Sequence, residues 1–485
     1  MTLLDAETWQ GKIYLDGWIS PTGGTRAVVS PSTGAELGVV GVASVDDVLR
    51  ASTRAAEAQK DWARRTPEDR AAVLRRAGDL WNMHAAEIEL WSVREAGSIA
   101  AKAALEVHTA ANECYEAAAL PTHPSGSVLP SNDERWSFAR QRPVGVVSVI
   151  APFNFPLILS IRSVAPALAL GNAVLLKPDP RTAVSGGVAL VRVFEEAGLP
   201  AGVLQLVNGG VDVGEAVVSA PEVRVVSFTG STAAGRKVGE LGARHLKRTH
   251  LELGGNNALI VLPGADLALA ASAGAFGSFM HQGQICMTTG RHLVHESLHD
   301  DYVAALAEKA HHLPVGDPET GQVALGPLID AGQLQRVDAI VHDTVAAGAT
   351  LAAGGSYTDL YYSPTVLADV HTDQRAWAEE IFGPVAPVLA FASVDEAIEV
   401  ARGVEYGLSL GILGDVGAAM RVADAVPSGI VHINEQTVSD EANAPFGGVA
   451  ASGTGSRFGG AAANIDAFTE TQWLTVRPEI ATYPF

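Results

Sequence analysis

Reactive sulfur is scarce: 485 residues contain 2 cysteines, Cys114 and Cys286. Two thiols cannot build a disulfide framework, so a reducing compartment is implied and the cytoplasm is the expected location. Positive charge is scarce as well, with 33 lysines and arginines against 54 acidic residues and a formal net charge of −21. No basic stripe is available to displace counterions from phosphates. Nucleic acid is therefore excluded as a partner, and anionic membrane surfaces with it. Long hydrophobic runs are missing too. The most apolar stretch, Leu267 to Met280, is rich in alanine and glycine and falls short of the ~20 residues a bilayer span needs. The N-terminal MTLLDAETWQ has no basic segment ahead of an apolar one, so no secretory signal is expected. Internal repeats and low-complexity tracts are absent. An anionic ligand must then be held by local devices, such as a helix N-terminus or a single lysine.

What is present is the pattern of an α/β protein, long enough for two or three domains. VGVVSVIAP reads as a buried strand and PLILSIRSVAPALALG as a helix ended by glycine. NAVLLKP is again a strand, and TAVSGGVALVRVFEEAGLP a helix stopped at Gly198 and Pro200. GVLQLVNG, RVVSFTGS and LELGGNNALIVLP supply three more strand-like runs. Near-continuous apolar strands alternating with helices predict a parallel sheet covered on both faces. A second α/β series runs from about residue 255 to 430. Alanine-rich helices dominate the first 118 residues after a short hairpin-like start. PTHPSGSVLPSNDERWSFARQRP becomes strand-like at its end, with AFTETQWLTVRP as its expected strand partner.

Several residues stand where chemistry is possible. Cys286, in HQGQICMTTG, reads either as a small buried hydrophobe or as a nucleophile. Gly230 and Ser231 lie between a strand and a helix, with Gly235 one turn in. Backbone N–H groups at such a helix start suit a phosphate, although a plain serine N-cap has the same signature. Lys177 ends the strand NAVLLKP, at the carboxyl edge where doubly wound sheets bind ligands; a solvated lysine is the ordinary alternative. Glu252, between two leucines and ahead of two glycines, is either an edge glutamate facing water or a buried carboxylate. Burial would raise its pKa towards that of a general base. Asn154, in IAPFNFP, is a turn asparagine or an amide donor to an oxyanion. Cys114 reads as a packed helix residue and His311-His312 as a helix end. His281 carries no assigned role, and no Cys/His spacing suggests a metal.

APFNFP, LLKP, SFTGSTAAG, LELGG, QGQIC, EEIFGPV and PFGG occur in that order. With them the chain resembles the aldehyde dehydrogenase superfamily over nearly its whole length. HQGQICM, KPDPRT and INEQTVSDE resemble the branch acting on benzaldehyde, vanillin and related aromatic aldehydes. The resemblance implies a Rossmann-like parallel-sheet cofactor domain (1–118 and 141–250) and an α/β catalytic domain (251–445). It also implies a small β oligomerisation arm (119–140 and 466–485) in a homodimer or homotetramer. Cys286 matches the thiol that attacks the aldehyde, with the Asn154 amide and the Cys286 N–H holding the oxyanion. Glu252 matches the base for thioester hydrolysis, and Lys177 the residue bonding the cofactor ribose. Gly230 and Ser231 match the turn facing the pyrophosphate. Glu380 and Phe382 match the nicotinamide-ribose acceptor and its packing partner. Phe153, Phe155 and Ile285 are the expected apolar walls for an aromatic ring.

Two departures stand out. Where the family often has K-P-x-E, with a glutamate on the adenosine ribose, this chain has Pro180. Repulsion of a 2′-phosphate is thereby removed, and both NAD and NADP are expected as cofactors. In SGTGSRFGG, Arg457 and Phe458 occupy the stretch where many relatives carry an acidic proton relay. The alternatives are an aliphatic or semialdehyde substrate, a non-catalytic relative, and a cysteine hydrolase without redox chemistry. The last leaves the phosphate turn and Lys177 unexplained.

Overall fold

The computed structural model describes residues 2–485. Two seven-stranded sheets and a three-stranded one organise the chain. In the first large sheet, strands Arg248–Glu252, Val223–Thr229, Val146–Ile150, Ala173–Lys177 and Leu204–Leu206 run parallel. The N-terminal hairpin Ile13–Ile19 closes one edge of this sheet, antiparallel to Leu204–Leu206. The strands Val146–Ile150 and Ala173–Lys177 are buried at every position, as a sheet covered on both faces demands. Their covers are the helices Val45–Arg64 and Pro156–Ala169 among others, joined in one core with Trp62, Phe194 and Phe468.

The second large sheet contains Thr350–Ala353, Thr365–Ala368, Val385–Phe391, Thr289–His295, Asn257–Val261, Ser409–Leu413 and Ile430–Ile433. All its pairings are parallel except that of the edge strand Thr350–Ala353. Two separate apolar clusters cover its faces. The expected α/β class with parallel sheets is what the chain adopts. In the small sheet, Trp136–Pro143 pairs with Gly126–Val128 and, over all eight of its residues, with Thr469–Val476. Residues 446–465 lie outside the divisions drawn from sequence; with the first residues of the segment assigned to the arm they fold back, so that Phe458, Ala467 and Phe468 pack in the first core.

One helix begins differently from its sequence reading. The segment TAVSGGV opens as a π-turn over Val184–Val188 before the α-helix Ala189–Glu196. Both carboxylate oxygens of buried Glu95 accept there, one from the Val184 N–H and one from the Ser185 N–H and hydroxyl. This long-range anchor, from a residue about 90 positions away, overrides the local α preference.

Candidate active site

Strand register gathers the candidates. Ile150 pairs with Lys177 and with Phe228, and Thr229 pairs with Glu252. Asn154, Lys177, Gly230 and Glu252 therefore all lie at or just beyond the carboxyl ends of adjacent strands of the first sheet. The Gly230 N–H donates to the Glu252 carbonyl at 3.0 Å, locking the turn to the strand end. Ser231 caps the 13-residue helix Thr232–Arg244 by accepting from the Ala234 N–H. A Cβ on Gly235 would lie 2.2 Å from Leu253 Cδ2, so only glycine lets this helix approach so closely.

Cys286 comes from the second sheet, between helix Leu267–Phe279 and strand Thr289–His295. Three consecutive residues before it, His281, Gln282 and Gly283, have positive φ (47°, 54° and 65°). Non-glycine residues hold such backbone only where the surroundings enforce it. Here the Gln282 amide donates to the Gly97 and Pro327 carbonyls, and Gln284 Oε1 accepts from the Ile329 N–H. Asn257 finishes the placement: its Nδ2 donates to the carbonyls of Cys286 and Thr288, both at 2.8 Å. The cysteine as a residue is half-buried.

Asn154 reaches across from the first sheet. Its Nδ2 donates to the Gln284 carbonyl at 2.8 Å, two residues before the cysteine. That uses one of the two amide hydrogens and leaves the other for a ligand. Glu252 is buried; its Oε2 accepts from the Gly448 N–H at 3.1 Å, while Oε1 has no partner. Burial pushes its pKa well above the ordinary carboxylate value. The Gly448 N–H and the charges of Arg457 and Arg162 pull it back only partly. Burial likewise pushes the Cys286 thiol up to about 12, reinforced by the charges of Glu380 and Glu252; Arg162 opposes this and Asp440 adds to it. The sulfur, Glu252 and Glu380 thus share one electrostatic environment.

Glu380 sits against the two glycines after Glu252. Its Oε1 accepts from the Gly255 N–H at 3.0 Å, and a Cβ on Gly254 would lie 2.2 Å from Oε2. Phe382 holds a φ of 57°, with its carbonyl and that of Ile381 bonded by the Gln333 amide. Lys177 is buried rather than solvated. Burial lowers its pKa, the carboxylates of Asp179 and Asp212 raise it, and Arg181 and Arg26 lower it. Pro180 lines a cleft of about 600 Å³ with Arg26, Arg181 and Asp330.

The three expected ring contacts separate. Phe155 and Ile285 join Cys286, Met287, Val438 and Phe446 in one small apolar cluster. Phe153 does not. Its ring meets that of Phe382 edge-on at 6.0 Å and lies 4.3 Å from the Arg181 guanidinium. It therefore belongs with the Glu380–Phe382 side.

The sequence model described as the Aldehyde dehydrogenase family matches residues 18–474. The chain belongs to the aldehyde dehydrogenase family. Among curated relatives, the vanillin dehydrogenase of an Amycolatopsis species is 64% identical, over 100% of this chain and 100% of that protein. The benzaldehyde dehydrogenase [NAD(+)] of Pseudomonas putida is 47% identical over 98% of each. Among solved structures, a salicylaldehyde dehydrogenase from Pseudomonas putida G7, complexed with salicylaldehyde, superposes with a TM-score of 0.94. It is 37% identical, and the match covers 98% of this chain and 99% of that one.

In this aldehyde dehydrogenase, two residues that support the site, Lys102 and Glu106, escaped sequence reasoning. Lys102 and Glu106, buried one turn apart on helix Ala100–Ala119, hold the Asn154 turn from beneath. Lys102 Nζ donates to Glu106 and to the Asn154 carbonyl, while Glu106 Oε2 accepts from the Leu157 N–H. Arg457, which replaces the expected acid, bonds the Gly448 and Ser456 carbonyls close to Glu252. A charged residue on an alanine-rich helix carries no local mark of burial. The one available signal was the lysine–glutamate spacing of four, which also suits a solvated helix face.

Proposed function

We propose that this aldehyde dehydrogenase oxidises aromatic aldehydes to carboxylic acids, with NAD or NADP as the acceptor, through a thioester on Cys286. The observation that carries the reading is the meeting of three groups from distant segments. A half-buried cysteine, a buried carboxylate with a free oxygen and a buried amide with a spare hydrogen converge across the two sheets.

The residues suit a dinucleotide. The Gly230–Ser231 turn opens a 13-residue helix whose N–H groups favour a pyrophosphate. Lys177 Nζ makes only a 3.3 Å bond to the Pro178 carbonyl and so has donors to spare for ribose hydroxyls. When bound, the nicotinamide supplies the acceptor for the hydride leaving the substrate carbon. The Cys286 thiol gives up its proton to solvent water, and the thiolate adds to the carbonyl carbon as the C=O π pair moves onto oxygen. The second Asn154 hydrogen and the Cys286 N–H stabilise the charge that develops on oxygen. Loss of hydride leaves a thioester on Cys286. Glu252 Oε1, a buried acceptor without a partner, is placed to take a proton from the water that cleaves it. The acid departs and the thiol is restored.

Aromatic preference is supported by the vanillin and benzaldehyde relatives and by the Phe155–Ile285–Phe446 cluster beside the sulfur. Dual cofactor use is supported by Pro180 and by Asp179, the acidic neighbour of Lys177, whose carboxylate is tied to Arg181. The exposed three-stranded sheet supports a homodimer or homotetramer. Among the described residues no helix is long and apolar enough to cross a membrane.

The test is absorbance of NADH and NADPH with benzaldehyde, vanillin, hexanal and succinic semialdehyde. Aromatic aldehydes should lead in kcat/KM with either cofactor. Cys286→Ala should abolish turnover and retain cofactor binding; wild-type activity in that variant would overturn the assignment. A preference for NAD above about a thousandfold, ~4 kcal/mol, would overturn dual use.

A further inference from the structure

The apolar cluster beside Cys286 is bordered by charge at Phe155, where Lys102 lies over the ring, and at Phe446, where Arg162 does. Helix Pro156–Ala169 begins directly after Asn154 and Phe155, and Arg162 lies two turns along it, ~10 Å further on at 1.5 Å per residue. Its guanidinium lies 4.5 Å from the centre of the Phe446 ring, and Phe446 belongs to the cluster that includes Cys286, Phe155 and Ile285. Arg162 is itself 4% exposed. Nε donates to Glu113 at 3.4 Å and Nη2 to Asp440; no described residue bonds Nη1. Asp440 follows Val438 of the same cluster by two residues and is less buried than the arginine, with 18% side-chain exposure.

We propose that Arg162 and Asp440 form the specificity element of the substrate pocket, reading a ring hydroxyl on the far side of the aromatic aldehyde. The inference rests on the aromatic-aldehyde reading and narrows it to phenolic substrates. The Asp440 carboxylate accepts the phenol O–H, and Arg162 Nη1 donates to the phenol oxygen. Both bonds are charge-assisted and lie in a pocket walled by Phe446. A pair that supplies one acceptor and one donor matches a hydroxyl and rejects a substrate lacking it, because its polar groups are then left unmatched. It also disfavours a carboxylate at the same place. Arg162 is already countered by two acidic side chains, Asp440 and Glu113, so no net positive charge awaits a second anion. A semialdehyde or a carboxylated ring is excluded on that ground.

A purely structural clamp joining three segments would make the same ion pairs but would not distinguish substrates. The deciding measurement is therefore the ratio of kcat/KM for 4-hydroxybenzaldehyde to that for benzaldehyde, with 4-carboxybenzaldehyde as a third substrate. The wild-type enzyme should disfavour the carboxylated ring. Asp440→Ala should lower the hydroxyl-to-hydrogen ratio by about tenfold and narrow the deficit of 4-carboxybenzaldehyde. Arg162→Lys, which keeps the charge and loses the planar fork, should lower the ratio in the same direction. A change below threefold in both variants, with all substrates losing rate together, overturns the proposal and leaves a clamp. A wild-type enzyme that oxidises hexanal and neither unsubstituted nor hydroxylated benzaldehyde overturns the aromatic reading as well. That outcome is distinguishable because it appears before any substitution.

Discussion

Glu252 illustrates how a single side chain is adjusted for its work. Its carboxyl is buried between the two sheets with one oxygen bonded and one free, and its pKa lies well above 4.5. A raised carboxyl pKa means that the folded protein holds this proton after the unfolded chain has released it. Its contribution to stability is therefore complete below pH 4.5 and is lost as pH rises through the folded-state value. Glu252→Gln removes that loss. The variant should melt within about 1 °C of the wild type near pH 4.5 and several degrees above it near pH 9, by calorimetry. A constant difference across that range would mean that burial is not the cause. With Glu252 as the proposed base, the same variant should give, in rapid kinetics, a burst of reduced cofactor followed by slow turnover, since hydrolysis would lose its base while hydride loss would not.

At the scale of the element, the crossing from the first sheet to the second decides how close the acidic groups stand. Leu253, Gly254 and Gly255 carry the chain from strand Arg248–Glu252 to strand Asn257–Val261, and Glu380 rests directly on them. Gly254→Ala would place a methyl group 2.2 Å from Glu380 Oε2. The carboxylate must move, and overpacking of this kind costs about 1–3 kcal/mol. Titration of cofactor fluorescence should show Kd weakened by roughly tenfold. Burial raises the pKa of Glu380 itself to about 7, and its charge above that pH helps keep the Cys286 thiol protonated, so its displacement should quicken alkylation of Cys286 in mildly alkaline buffer. Unchanged alkylation together with weaker cofactor binding would place the effect in the cofactor cleft alone.

For the whole molecule, the three-stranded sheet is the feature without a cover. Trp136, Trp473 and Val128 are 71%, 66% and 77% exposed, on a sheet too small to build a core of its own. Val128 and Trp136 share one face with Phe138, and Trp473 stands on the other with Ala139; exposed apolar side chains of this kind fit the association surface proposed above. Val128→Ser combined with Trp136→Ser should shift sedimentation towards the monomer while leaving the far-ultraviolet spectrum intact. A monodisperse oligomer unaffected by both changes would assign assembly to another face.

Much of this organisation is legible along the chain, because it depends on short-range pattern. The buried strands Val146–Ile150 and Ala173–Lys177 announce themselves by near-continuous apolar runs, and the helix after Ser231 by its cap. The long-range pairing of Trp136–Pro143 with Thr469–Val476 follows from strand patterning at both ends. Cys286, Glu252 and Asn154 each keep an ordinary reading on local grounds, and it is the ordered set of motifs resembling the aldehyde dehydrogenases that singles them out. What the sequence withheld was the company each residue keeps. Phe153 and Phe155 stand two apart, yet one lies against Phe382 and the other joins the apolar cluster that includes Cys286. Arg162, Lys102 and Lys177 look like solvated charges until the helices and sheets around them are assembled. The same holds for the π-turn at Val184, set by a glutamate about 90 residues earlier. Local propensity and periodicity are properties of neighbouring residues and survive in the sequence. Burial, charge pairing and the side of a pocket on which a ring falls depend on contacts between distant segments, and only tertiary packing decides them.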